Sequence, residues 1–147
     1  MRKVIIAILV MLSSSAFAQF NLSSGIGYGI QVNSKLDYTL FQTTVSVEPQ
    51  FQFDKFSLVS QSLAMISDSA SNFYTGLKAG YRVWQNINED EQFTVSGHAL
   101  LGSEGRKLLG GGVAYKIENI ELNIDCSQEY LSKSFISVLS LNYNLQR

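Results

Sequence analysis

From Phe20 to Val32 the apolar side chains keep one parity. Phe20, Leu22, Ile26, Tyr28, Ile30 and Val32 share it, with Ser24 the one break, while Asn21, Ser23, Gly25, Gly27, Gly29 and Gln31 hold the other. Successive side chains of a strand point to opposite faces, so an alternation sustained this long is a strand with one greasy and one polar face. The pattern recurs along the chain. Phe41, Val45, Val47, Phe51 and Phe53 alternate with Gln42, Thr44, Ser46, Glu48, Gln50 and Gln52. Phe73, Leu77, Ala79, Tyr81 and Val83 alternate with Gly76, Lys78, Gly80 and Arg82, and Phe93, Val95, Ala99 and Leu101 with Thr94, Ser96 and His98. Three further segments follow, led by Leu109, Ile120 and Phe135. The segment from Phe56 to Ile66 is irregular: Val59, Leu63 and Met65 sit opposite Phe56, Leu58, Ala64 and Ile66, which predicts a bulge or a different register. Pro49 has no N–H to give a ladder, so it predicts a lost bond or a bulge. Asp54-Lys55 and Glu118-Asn119 are two-residue loops between apolar partners, and polar clusters separate the remaining segments. Eight segments joined by hairpins predict an all-β, eight-stranded antiparallel up-and-down barrel.

Ahead of this pattern stands a different one. Arg2 and Lys3 precede an apolar run from Val4 to Leu12, then three serines and Ala16-Phe17-Ala18. A charged start, a short greasy core and an Ala-x-Ala site read as a secretory signal peptide over residues 1–18, cut before Gln19. The run is too short for a spanning helix, which needs about 20 apolar residues. The expected barrel domain is 19–147. Removing Arg2 and Lys3 from the 11 basic residues leaves 9 against 12 acidic ones, a net charge of -3. That is no footprint for nucleic acid. With Cys126 as the single cysteine there is no intramolecular disulfide and no cysteine-based metal cluster.

Period two does not say which face is the inside. A soluble barrel turns its apolar parity inward, whereas an outer-membrane barrel turns it to lipid. With the N-terminus placed on the periplasmic side, Phe20, Phe51, Phe53, Phe56, Tyr81, Phe93, Tyr115 and Tyr143 gather near the lower rim. Tyr38, Phe41, Phe73, Tyr130 and Phe135 gather near the upper rim, with mostly aliphatic residues between. Two aromatic girdles around an aliphatic band are the membrane arrangement. The polar parity holds Glu48, Lys78, Arg82, His98, Lys116, Glu121, Asp125 and Glu129, charges that suit a narrow lumen where they pair with one another. Eight strands leave a bore that side chains fill. The expectation is therefore a transmembrane barrel.

In its strand pattern the chain resembles the small eight-stranded outer-membrane proteins of the OmpA/OmpX type, over the whole of Gln19 to Arg147. The last strand, Phe135 to Leu145, looks like the C-terminal strand that the family's insertion machinery reads, but departs from the usual terminal aromatic by ending Leu145-Gln146-Arg147. The resemblance implies residence in the bacterial outer membrane, with its lipid and lipopolysaccharide and the barrel-insertion machinery as partners.

Chemistry is sparse. Small barrels include lipid A deacylases and palmitoyltransferases, and the deacylases use a Ser, a His and an acid on the lipid-facing surface. His98 is the only histidine, lies on the polar parity, and has Leu100 rather than Ser two residues on. It reads as a member of a lumen hydrogen-bond network. The glycine runs at Gly25 to Gly29 and Gly110 to Gly112 lie inside strands, not between a strand and a helix, so they are not phosphate loops. Cys126 is a small filler on the greasy parity. No cofactor, metal site or catalytic group is expected. The leading expectation is a non-enzymatic barrel acting in envelope integrity or surface interaction. The alternatives are a soluble exported barrel holding a small apolar ligand, a lipid-modifying enzyme, and a narrow channel.

Overall fold

A computed structural model describes residues 19–33, 39–68 and 71–145. The expected signal peptide, Tyr38, most of the first upper loop and the last two residues lie outside them. Eight strands appear in chain order: β1 (Gln19–Asn33), β2 (Thr39–Phe53), β3 (Phe56–Ile66), β4 (Ser71–Gln85), β5 (Glu91–Gly102), β6 (Lys107–Ile117), β7 (Ile120–Glu129) and β8 (Ser134–Asn144). Each pairs antiparallel with the next, and β8 pairs with β1, from Ser23↔Asn144 to Asn33↔Ser134, to close the barrel. Closure removes every free edge, so no row of backbone donors and acceptors is left unpaired.

The tight hairpins form where expected. Phe53 faces Phe56 across Asp54-Lys55, and Ile117 faces Ile120 across Glu118-Asn119. Both loops place their acidic first residue in the left-handed region, at φ 52° for Asp54 and φ 53° for Glu118. The loop between β5 and β6 contains a short 3-10 turn, Ser103–Gly105.

The greasy parity faces outward on every strand. Ile26, Phe41, Val45, Leu58, Leu77, Val95, Leu109, Ile124 and Leu139 are all exposed, while the polar parity, from Ser23 and Gln31 to Asn142 and Asn144, is buried. The outward positions of the described strands carry only two charged side chains, each at a strand end. Lys107 opens β6 at the upper rim, and Glu91 opens β5 at the lower rim, where it accepts a hydrogen bond from the Tyr115 hydroxyl at 3.0 Å. The belt between them is uncharged. The lower-rim aromatics touch in pairs, Phe20 with Phe51 at 5.2 Å and Phe56 with Tyr81 at 5.0 Å between ring centres. Tyr28, 73% exposed, sits away from both rims.

Of the alternatives the sequence left open, Pro49 takes the lost bond, and the third segment shows neither a bulge nor a shifted register. Pro49 makes no bulge: β2 and β3 pair in one register from Thr43↔Ile66 to Phe53↔Phe56, and the ladder lapses only at Glu48 and Pro49. A missing N–H removes a bond without adding a residue. The third segment is likewise in regular register, and its misplaced Val59, Leu63 and Met65 point into the barrel. The shift falls instead in β4, where pairing passes from Arg82↔Thr94 to Trp84↔Phe93 and leaves Val83 extra. A bulge turns two successive side chains to the same side, and both Val83 and Trp84 are exposed. The glycines of the polar parity do more than leave room. A Cβ on Gly27 would stand 2.3 Å from the Leu139 carbonyl oxygen, so β1 and β8 approach this closely only because no Cβ intervenes.

Candidate functional site: the lumen

The lumen is divided into layers. Leu63, Met65, Tyr74, Leu100, Leu108, Ile136 and Val138 form a buried apolar cluster in its upper half. They lie near the upper ends of β3, β4, β5, β6 and β8. This layer is the main feature the parity argument missed. Its signal was the very irregularity of the third segment, together with Leu100, Leu108, Ile136 and Val138, apolar residues on the polar parity.

The polar groups below this layer form the central network. Lys78 on β4 reaches across the bore to Asp125 on β7, Nζ to Oδ2, at 3.1 Å. Both side chains are almost fully enclosed, at 7% and 11% exposure. Charges so far from water persist only when paired, because removing one partner leaves the other desolvated. Glu48 on β2 lies near enough to interact electrostatically with Lys78, and its Oε1 accepts a hydrogen bond from Gln61 Nε2 at 2.9 Å. Among the described residues the ion-pair partner of Lys78 is Asp125, and Glu48 is held by Gln61. His98 on β5 joins the same cluster: its Nδ1 is 3.7 Å from Asp125 Oδ1 and its Nε2 is 2.6 Å from Ser127 Oγ. Thus Glu48, Lys78, His98 and Asp125 come together, with Gln61 and Ser127 as partners that sequence spacing did not single out. Asp125 and Ser127 are two residues apart on β7, which puts both on one face of that strand.

The other expected lumen charges sit elsewhere. Lys116 and Glu121 face each other in register near the lower mouth, and Glu121 Oε1 accepts a hydrogen bond from Asn123 Nδ2 at 2.9 Å. Arg82 turns to the β2–β3 hairpin: Nη2 donates to the Asp54 carbonyl at 2.9 Å and lies 3.8 Å from the Asp54 carboxylate. Glu129 lies above the apolar layer, fully buried at the upper rim. There it accepts the backbone N–H groups of Leu131 at 3.0 Å and Ser132 at 3.2 Å, as well as the Ser132 hydroxyl, and Arg106 approaches to 3.8 Å. It organises the β7–β8 turn. Beside it Gln31 donates to Ser134 Oγ at 2.7 Å, and Gln42 donates to Gln31 at 3.2 Å. The upper half thus holds two sets of buried side chains, this polar group at the rim and the apolar layer beneath it.

Ser127, His98 and Asp125 have the residue types and order of a hydrolytic relay, but not its setting. Ser127 is laddered to Gly110 on one side and Ile136 on the other, so its strand offers no loop N–H to a developing oxyanion. The adjacent cavity is about 20 Å³, lined by Leu63, Met65, Leu100, Leu108 and Val138 among others. It has room for about one water, not for an acyl group. Among the described residues no group of His, Cys, Asp and Glu is arranged to hold a metal ion.

No protein-family model matches the chain, and no characterised protein matches it in sequence. Solved structures do match it in shape. Neisserial surface protein A superposes with a TM-score of 0.66 at 11% identity, over 88% of this chain and 99% of that one. A de novo designed transmembrane β-barrel superposes with a TM-score of 0.53 at 12% identity, over 85% of this chain and 95% of that one. The Yersinia pestis outer membrane protein Ail aligns more loosely, with a TM-score of 0.46 at 16% identity, over 86% of this chain and all of that one. With its closed antiparallel sheet and its greasy outer wall, the chain has the fold of the small eight-stranded outer-membrane β-barrels.

Proposed function

We propose that this protein resides in a bacterial outer membrane as a closed, non-catalytic wall element, with a structural or surface-interaction role in the envelope. The observation that carries this reading is the inverted distribution of its side chains: apolar residues exposed around the whole circumference, charges buried in the bore. In water such a wall would be an aggregation surface far larger than soluble monomers expose. In lipid it is the stable arrangement, since every backbone polar group is satisfied within the closed sheet. Outer-membrane lipid and lipopolysaccharide then contact the belt, and insertion machinery delivers the chain after export. The soluble-carrier alternative needs the greasy parity inside, and the wall here has it outside. Against a channel stand the apolar layer and the buried polar group at the upper rim, and planar-bilayer recordings are expected to stay flat. The non-catalytic assignment rests on the small cavity beside Ser127 and the fully laddered backbone around it.

The deciding experiment is electrophoretic mobility of the membrane fraction with and without boiling. A compact band that slows on boiling, found in the outer-membrane fraction, is the expected result. A soluble periplasmic protein with no heat-dependent mobility would overturn the proposal.

A further inference from the structure

Ser46 on β2, Gln61 on β3, His98 on β5 and Asp125 on β7 line the same cavity of about 20 Å³, with Leu63, Leu100 and Leu108 among its apolar walls. All four polar residues are more than nine-tenths buried, at 4%, 4%, 6% and 8% exposure. Among the described residues Ser46 Oγ, Gln61 Oε1, His98 Nδ1 and Asp125 Oδ1 have no hydrogen-bond partner. The other polar atoms of Gln61, His98 and Asp125 are engaged. Gln61 Nε2 donates to Glu48 Oε1 at 2.9 Å, and because an ionised carboxylate only accepts, the amide is fixed with its oxygen free. Lys78 Nζ holds Asp125 Oδ2 at 3.1 Å, and Ser127 Oγ lies 2.6 Å from His98 Nε2. His98 Nδ1 and Asp125 Oδ1 stand 3.7 Å apart, too far for a direct bond and the separation at which a bridging water is to be looked for. Buried polar atoms left unpaired are costly, and four of them meet here.

We propose that this cavity is a binding site for one ordered water molecule, held by all four atoms. Its size admits about one water. Water gives two protons and fills two lone pairs, and the four atoms match that count. The protons go to Gln61 Oε1 and Asp125 Oδ1, which only accept. The lone pairs take the Ser46 hydroxyl and the N–H of His98 Nδ1. That arrangement fixes the histidine tautomer: the proton is on Nδ1, and Nε2 accepts from the Ser127 hydroxyl. With the proton on Nε2 instead, three acceptors would compete for two water protons. A bare cation has no lone pair for an N–H, so it would select that opposite tautomer. The water joins Gln61, which holds Glu48, to Asp125, which holds Lys78, and so completes one polar chain across β2, β3, β7 and β4. The site lies in the bore and does not rest on what bathes the outer wall.

The test begins with the untagged, nitrogen-labelled barrel folded in detergent micelles, where His98 supplies the only imidazole. Long-range proton–nitrogen correlation spectra are expected to show a proton on Nδ1 and none on Nε2. A crystal structure that resolves ordered solvent is expected to show one peak about 2.5–3.2 Å from each of the four atoms. Ser46→Val removes one donor and puts a methyl group into the space, so it is expected to lose that peak and to shift the Nδ1 proton resonance. A proton on Nε2 would overturn the assignment, as would a cavity without density or a Ser46→Val barrel that keeps the peak unmoved. An anomalous peak at the site in crystals grown with rubidium in place of sodium would also overturn it, in favour of a monovalent cation. Both measurements on the unaltered protein stand even where the variant does not fold, and heat-dependent mobility, measured in parallel, reports the barrel itself.

Discussion

Ile124 and Ile120 offer a direct reading of the solvent around this barrel. Both lie on the outward face of β7 and are almost equally exposed, 48% and 49%. They differ in height. Ile124 sits mid-strand between Val113 and Leu139, whereas Ile120 sits at the lower rim beside Ile117 and Tyr143. In water, replacing either exposed isoleucine by arginine is a surface change within about 0.5 kcal/mol of neutral. In a bilayer the two separate by depth: an arginine at the midplane of a barrel's lipid face costs roughly 2–4 kcal/mol, and one near the interface about 0–1. Ile124→Arg should therefore lower the folding constant by roughly 30- to 700-fold, with Ile120→Arg nearly silent. The assay is reversible guanidinium unfolding in lipid vesicles followed through Trp84, the only tryptophan in the chain. The refuting result is equal stability of the two variants within about 0.5 kcal/mol, because equal exposure would then be all that matters and the belt would not face lipid.

Other consequences follow from the interior. Lys78→Met leaves the Asp125 carboxylate buried without its ion-pair partner, whereas Asp125→Asn keeps a polar amide beside Lys78. Each should cost on the order of 3–5 kcal/mol in the same unfolding assay, with Lys78→Met the worse, and the Lys78→Met/Asp125→Leu double variant should recover part of the loss. Gly27→Ala drives a Cβ to 2.3 Å from the Leu139 carbonyl oxygen, while Gly97→Ala meets nothing nearer than 3.8 Å. Thermal unfolding should show a loss of about 1–3 kcal/mol for Gly27→Ala and little change for Gly97→Ala. N-terminal sequencing of the protein recovered from membranes should begin at Gln19, and a chain starting at Met1 would refute the leader assignment.

What the sequence determined by itself is the strand content and the division into two faces. Period two in Phe20 to Val32 assigns those side chains to opposite sides of any sheet, because backbone pleating enforces it without regard to context. The two-residue hairpins at Asp54-Lys55 and Glu118-Asn119 were equally legible, since chain connectivity fixes the register across so short a loop. The layering of the lumen was not. Leu63 and Met65 on β3, Leu100 on β5 and Ile136 on β8 lie far apart in the chain, and only closure of the sheet brings them to one height. The same holds for the site. Alternation placed Glu48, Lys78, His98, Asp125 and Glu129 in the bore, but not which of them meet. Tertiary structure joined Lys78 to Asp125 across 47 residues of chain and His98 to Ser127 across 29, and set Glu129 apart above the apolar layer. It also put the extra residue of β4 at Val83 rather than beside Pro49, because a missing N–H breaks one bond, whereas a bulge is a property of two strands and their shared register. Parity is local and therefore written in one strand; height around a closed barrel depends on all eight strands and their stagger together.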